Sequence, residues 1–251
     1  MGSARRLFVL HPSPWSERAR WALDHHRLTY ESIHYLPFIG QGQLKRLAGT
    51  DTKRVTVPFL VADGQTYGES WAIALYADRE GGREKLVPSD LEEDIRLWNQ
   101  VADGGMGGVR GRVLARMLES PKALDIAAPP VVPRWLRPAM RPAARWTIRH
   151  LQRKYQTRSD EGASQVLLLR SALDRLRDGL KGGKPYLLGK FTYADIVMAT
   201  LLQGVLPVTD LFLRLPRALR EVWTDDTLAR EYGDLLTWRD ELYERHRRDL
   251  S

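Results

Sequence analysis

The chain has 251 residues, with 39 Lys and Arg against 31 Asp and Glu for a formal net charge of +8, and 43% hydrophobic and 28% charged residues; this composition can bury a core and fits no disordered, collagenous or fibrous class. Cysteine is absent, which excludes disulfides, thiolate metal sites, iron–sulfur clusters and any cysteine nucleophile or thiol redox couple. The longest mostly apolar run, Ile196 to Val208, is broken by Gln203 and Gly204, too short for a membrane span, and with no secretory leader visible a cytoplasmic protein is expected.

Arg6 to Leu10 reads as a short strand and Pro14 to His26 as a helix, with Ser13 as N-cap and Pro14 at the first helical position, where a missing N–H costs nothing. Tyr30 to Tyr35 reads as a second strand and Gly42 to Leu47 as a weaker helix. Val57 to Ala62 and Gln65 to Gly68 read as two strands joined by an Asp63-Gly64 hairpin turn, and Ser70 to Arg79 as the helix that closes the unit. The order is β-α-β-α-β-β-α. After Gly81-Gly82 only helical patterns follow, so domains of residues 1–82 and 88–251 are expected, α/β first and all-α second. Ser89 to Glu92 has the form of a capping box, Gln165 to Leu180 is strongly amphipathic, and Thr192 to Asp195 caps a mostly apolar segment. Between Pro121 and Pro142 the chain is too proline-rich for a continuous helix and too apolar for an idle linker.

Basic residues concentrate in Arg134 to Lys154 and in Arg245 to Arg248. No zinc-finger, RNP1-like or P-loop pattern accompanies them, so a solvated basic surface is the favoured reading, and neither nucleic acid nor membrane is an expected partner. A membrane-surface or nucleic-acid module in 134–154 is the competing reading, and salt-dependent association would be its mark. His11 and the pair His25-His26 have no carboxylate partner at metal-ligand spacing, so no metal is expected. Trp71, Trp98 and Trp223 read as core or interface.

Ser13 stands at the mouth of a helix N-terminus, where free backbone N–H groups and the helix dipole point at whatever binds. A plain N-cap is the competing reading. Ser13-x-x-Ser16 has the spacing of a C-x-x-C motif with both sulfurs replaced. Pro58 at the start of the third strand is structural if trans; if cis, it turns Val57 so that its backbone can pair with an extended ligand. Glu69 and Ser70, where the fourth strand enters a helix, bring together a carboxylate, a hydroxyl and an amide, a set that suits an amino acid end group, with a simple cap as the alternative for Ser70.

S-P-W-S-E-R-A-R-W-A-L from Ser13, V-T-V-P-F-L-V-A-D-G from Val55, Y-G-E-S from Tyr67 and G-K-F-T-Y-A-D-I from Gly189 together resemble the glutathione transferase family, of the type with a catalytic serine, over nearly the whole chain. The resemblance implies a thioredoxin-like N-terminal domain followed by a helical bundle, with glutathione as co-substrate and no metal. It implies that Ser13 is catalytic with Ser16 near the bound tripeptide, that Val57 before cis Pro58 pairs with the cysteinyl backbone, and that Glu69 and Ser70 hold the γ-glutamyl group. Lys53 or Arg54 would meet the glycyl carboxylate, although the spacing to Val57 is one or two residues longer than the family's K-x-P pattern. A small hydrophobic electrophile would then be conjugated, isomerised, cleaved at an ether or reduced as a peroxide. The expected acceptor pocket comprises Trp15, Met106, Arg110 and Met117 under a roof at Trp135. Gly104, Gly105, Gly107, Gly108 and Gly111 either give that pocket space or simply make an irregular helix or loop. The resemblance further implies a homodimer through the faces of 71–79 and 91–101. A non-catalytic glutathione-binding or assembly module of the same fold is the alternative function.

Overall fold

The computed structural model describes residues 5–35, 40–49, 55–128, 132–154 and 162–247. Its first part follows the expected order as β1 (Arg6–Val9), α1 (Pro14–His25), β2 (Glu31–His34), α2 (Gln41–Ala48), β3 (Phe59–Ala62), β4 (Gln65–Gly68) and α3 (Ser70–Glu80). The strands line up as β2-β1-β3-β4, with β1 parallel to β2 and antiparallel to β3, and β3 antiparallel to β4. Successive side chains on a strand point to opposite faces. Leu7, Val9, Leu60 and Ala62 therefore pack on the side of α1 and α3, while Phe8 and Phe59 join Leu44 of α2 on the other. The hairpin has Asp63 at φ 53° and Gly64 at φ 74°, the left-handed pair that a two-residue turn between twisted strands requires.

The junction to the helical part is fastened by buried polar groups. Asp78 accepts from the backbone N–H of Leu86 at 2.8 Å and of Val87 at 2.7 Å, and its Oδ1 lies 2.7 Å from His26 Nε2. Gly81 admits the His26 ring so closely that a Cβ there would stand 2.3 Å from it. Both carboxylate oxygens of Asp78 are thus engaged within the protein.

The helical part comprises α4 (Glu92–Glu119), α5 (Pro121–Ile126), α6 (Arg141–Lys154), α7 (Gly162–Gly179), α8 (Tyr193–Leu201), α9 (Arg217–Trp223), α10 (Asp226–Glu231) and α11 (Gly233–His246). Helix α8 is buried along its length and packs against α4 and α1. Its expected capping box forms: Asp195 accepts from the N–H of Thr192 at 2.8 Å and of Leu187 at 2.9 Å. The box expected at Ser89 and Glu92 does not. There the chain makes a turn from Pro88 to Leu91, and α4 begins at Glu92 with no side-chain cap; the acidic first turn of Glu92, Glu93 and Asp94 complements the helix dipole instead.

The glycine stretch of α4 remains helical. Gly105 is buried where α7 and α8 cross, and a Cβ on it would lie 3.0 Å from Ala172 and 3.2 Å from Leu201. Tertiary packing thus offsets the poor helix propensity of glycine. In the proline-rich stretch, Pro121 occupies the first turn of α5 behind a Ser120 cap, and Pro138 lies in a 3-10 turn, Arg137–Met140, leading into α6; Pro129 and Pro130 fall outside the described residues. Among the described residues no helix is long and apolar enough to cross a membrane.

Candidate functional site

The sheet register gathers three chain segments at one edge. Phe8 of β1 pairs with Phe59 of β3, which pairs with Gly68 of β4. Just beyond that row, β1 leaves toward Ser13, β3 arrives from Val57-Pro58, and β4 departs into Glu69-Ser70. With neighbouring strands about 4.8 Å apart, the three exits span about 10 Å. Residues distant in sequence thereby face one shared space.

Ser13 occupies the N-cap position of α1 with extended backbone, φ −77° and ψ 123°, but its hydroxyl makes no cap hydrogen bond. Its backbone N–H donates to Leu10 O at 2.9 Å and its carbonyl accepts from Glu17 at 3.0 Å, so the main chain is held and the half-buried hydroxyl is left for other use. Ser13 is thus an N-cap by position, without a side-chain cap. Ser16 is different: it is fully buried and its Oγ accepts from the Leu10 N–H at 3.1 Å. It joins strand end to helix rather than facing the shared space. The Val57–Pro58 bond is cis. Glu69 is exposed at φ 67° and ψ 145°, a conformation that costs about 1 to 3 kcal/mol in a residue other than glycine and is typical of sites where a side chain must be aimed. Ser70 is buried at the start of α3 beside Tyr193, whose phenol is pushed up to about 12 by burial against the opposing pull of Arg18 and the Ser70 hydroxyl. Lys53 and Arg54 lie outside the described residues.

Toward the helical part, Trp15 and Arg110 meet. The Arg110 guanidinium sits 4.8 Å from the Trp15 ring centre, and Trp15 Nε1 donates to Asp103 Oδ1 at 2.9 Å. The same oxygen accepts from Arg18 Nη1 at 2.6 Å, and Arg18 Nε donates to Thr200 Oγ1 at 3.0 Å, so one fully buried arginine ties α1 to both α4 and α8. The space over Gly104 and Gly107, on the exposed side of α4, is open to at least 4 Å from a Cβ position. Three expected pocket residues stand elsewhere. Met106 is 1% exposed in the core, Met117 packs toward the contact of α5 with α6, and Trp135 is 80% exposed on a segment that packs against α5 and α6. Helical spacing sets Asp103, Met106, Arg110 and Met117 near one side of α4, so it is the cover of the neighbouring helices that takes the two methionines into packed surroundings. A shallow cavity of about 630 Å³ on α7, lined by Leu167, Arg170, Ser171, Asp174, Arg175 and Asp178, contains none of these residues.

Sequence reasoning missed Asp103 and Arg18, although a charged residue one turn after Trp15 on a helix with buried faces was a usable signal. It also missed a second network behind Ser13. Glu17, fully buried, receives Arg20 Nη2 at 2.8 Å and Arg247 Nε at 2.7 Å; Arg247 Nη1 donates to Asp24 at 2.6 Å, and Arg20 Nη2 donates to the His11 carbonyl at 3.2 Å. Burial works to raise the Glu17 carboxyl, but the guanidiniums outweigh it and hold the group at about 2. Burial also lowers His11, reinforced by Arg20. Nothing in the local sequence signals a partner 230 positions away. Among the described residues no group of three His, Asp or Glu is placed to hold a metal.

Residues 12–80 match the family model described as glutathione S-transferase, N-terminal domain. No curated protein matches the chain by sequence. Solved structures match along nearly the whole length. A glutathione S-transferase of Ceriporiopsis subvermispora in complex with glutathione is 15% identical, with 98% of this chain and 100% of that chain covered and a TM-score of 0.65. One from Methylobacterium radiotolerans in complex with glutathione sulfonate is 18% identical, with 97% and 92% covered at 0.61. One from Methylobacillus flagellatus with glutathione bound is 16% identical, with 96% and 95% covered at 0.60. At these identities the likeness is one of fold.

Proposed function

We propose, for a chain whose residues 12–80 match the glutathione S-transferase N-terminal domain model and whose fold is that of solved glutathione transferases, an enzyme that activates glutathione at Ser13 and transfers it to a small hydrophobic electrophile. The observation that carries this reading is the register that sets a Ser13 hydroxyl unused in capping beside the exits at Val57 and at Glu69-Ser70. In this reading the backbone of Val57 pairs with the cysteinyl residue, and Glu69 and Ser70 take the γ-glutamyl ammonium and carboxylate. The acceptor enters by Trp15 and Arg110 over Gly104 and Gly107.

The chemistry asked of Ser13 is modest. A thiol of pKa about 8.5 is roughly 3% ionised at pH 7, and lowering it by two units takes about 2.7 kcal/mol. A hydrogen bond to a charged group contributes about 1.5 to 3 kcal/mol and a helix N-terminus about 0.3 to 1. The thiol proton leaves to solvent, the Ser13 hydroxyl donates to the sulfur, and a sulfur lone pair forms the new bond to the electrophile as the leaving group departs with its electrons. Ser13→Ala should lower turnover about 10² to 10³-fold with little change in glutathione affinity, like loss of one preorganised donor. Retention on immobilised glutathione and turnover of chlorinated aromatic, isothiocyanate and hydroperoxide acceptors test this. Retention without turnover of any acceptor would favour a binding or assembly module.

A homodimer is part of the same reading. Leu75 and Leu97 are 38% and 42% exposed on α3 and α4, and Arg96 stacks 4.7 Å over Trp71 between them, leaving apolar surface for a two-fold contact. Light scattering should give about twice 28.7 kDa; a concentration-independent mass near 28.7 kDa would exclude the dimer.

A further inference from the structure

We propose that α6 and the turn before it form a docking surface for an anionic lipid bilayer. Between residues 134 and 154 the chain has six Arg and Lys154 and no Asp or Glu. The structure sorts this segment into two sides. Ala144, Ile148 and Leu151 pack inward against Leu114 and Leu124. On the opposite side Trp146, Arg149 and Arg153, spaced by three and four residues, form one exposed stripe. Trp146 is 61% exposed and stacked on His150, and just upstream Trp135 and Leu136 are 80% and 40% exposed. Arg141 is engaged with Asp125 at 2.7 Å, so the outward charge rests on the remaining basic residues.

Positive charge alone would fit any polyanion. Indole rings beside arginines favour a bilayer surface, because tryptophan settles at headgroup level while guanidiniums meet lipid phosphates.

The test uses the full chain with vesicles of phosphatidylcholine alone or with one quarter phosphatidylglycerol. The protein should sediment with the anionic vesicles at 50 mM NaCl, be released by 500 mM, and ignore the neutral ones. Since each basic residue near such a surface strengthens binding about fivefold, Arg145→Ser/Arg149→Ser/Arg153→Ser should weaken it about a hundredfold. Trp135→Ala/Trp146→Ala should remove the blue shift of tryptophan emission on binding. Both variants should keep the wild-type melting temperature, since the altered side chains lie outside the packed face. Failure to bind anionic vesicles, equal binding to neutral ones, variants that bind like wild type, or binding of duplex DNA in place of vesicles would each overturn the proposal.

Discussion

Replacing Glu17 with Gln removes the charge at the centre of the network joining the C-terminal Arg247 to α1 while keeping the side chain's shape. The carboxyl is fully buried between Arg247 and Arg20, and despite the opposing effect of burial those guanidiniums hold it at about 2 against an ordinary 4.5. Because the folded value lies below the unfolded one, the carboxylate stabilises the fold above pH 4.5, and that contribution is lost as pH falls through 2. At 1.36 kcal/mol per pH unit, the interval from 4.5 to 2 corresponds to about 3 kcal/mol at pH 7. At pH 3 less than half of it remains. Glu17→Gln should therefore cost about 3 kcal/mol at neutral pH, or roughly 6 to 12 °C in melting temperature for a chain of this size. Urea melts of both proteins at pH 7, 5 and 3 measure it: the gap should stay nearly constant to pH 5 and fall to less than half by pH 3. A gap of the same size at pH 7 and pH 3 would show that packing, not charge, is responsible.

Ser16→Ala should orphan the Leu10 N–H and destabilise by about 1 to 3 kcal/mol while conjugation survives; abolished turnover in a folded variant would shift the catalytic hydroxyl from Ser13 to Ser16. Gly204→Ala would drive a Cβ to within 2.3 Å of Val109, and a melting curve should record about 1 to 3 kcal/mol of lost stability from overpacking. Asp195→Ala strips the partners from the buried N–H groups of Leu187 and Thr192, so unfolding free energy should drop by about 2 to 4 kcal/mol, and hydrogen exchange at those two amides should accelerate.

Legibility in the sequence followed the range of the interaction. Strand alternation, the Asp63-Gly64 turn, Pro14 behind Ser13 and the Thr192 to Asp195 box are short-range devices, and each was readable because its partners lie within a few residues. The Ser89 box misled because it has the right letters in a place where the chain turns from Pro88 to Leu91 before the helix begins. The glycines of α4 were ambiguous for a similar reason: local propensity argues against a helix, and only the close approach of α7 and α8 at Gly105 decides for one.

The sequence by itself thus determined the order of elements, the change from α/β to all-α, and the candidate positions Ser13, Val57, Glu69 and Ser70. Only the folded chain shows that Ser16 Oγ accepts from the Leu10 N–H while Ser13 makes no side-chain cap bond, that Asp103 and Arg18 join Trp15, that Met106 is buried and Trp135 exposed, and that Arg247 reaches Glu17. The physical reason is that side-chain direction and long-range pairing depend on register and helix rotation, where a shift of one residue moves a group to another face.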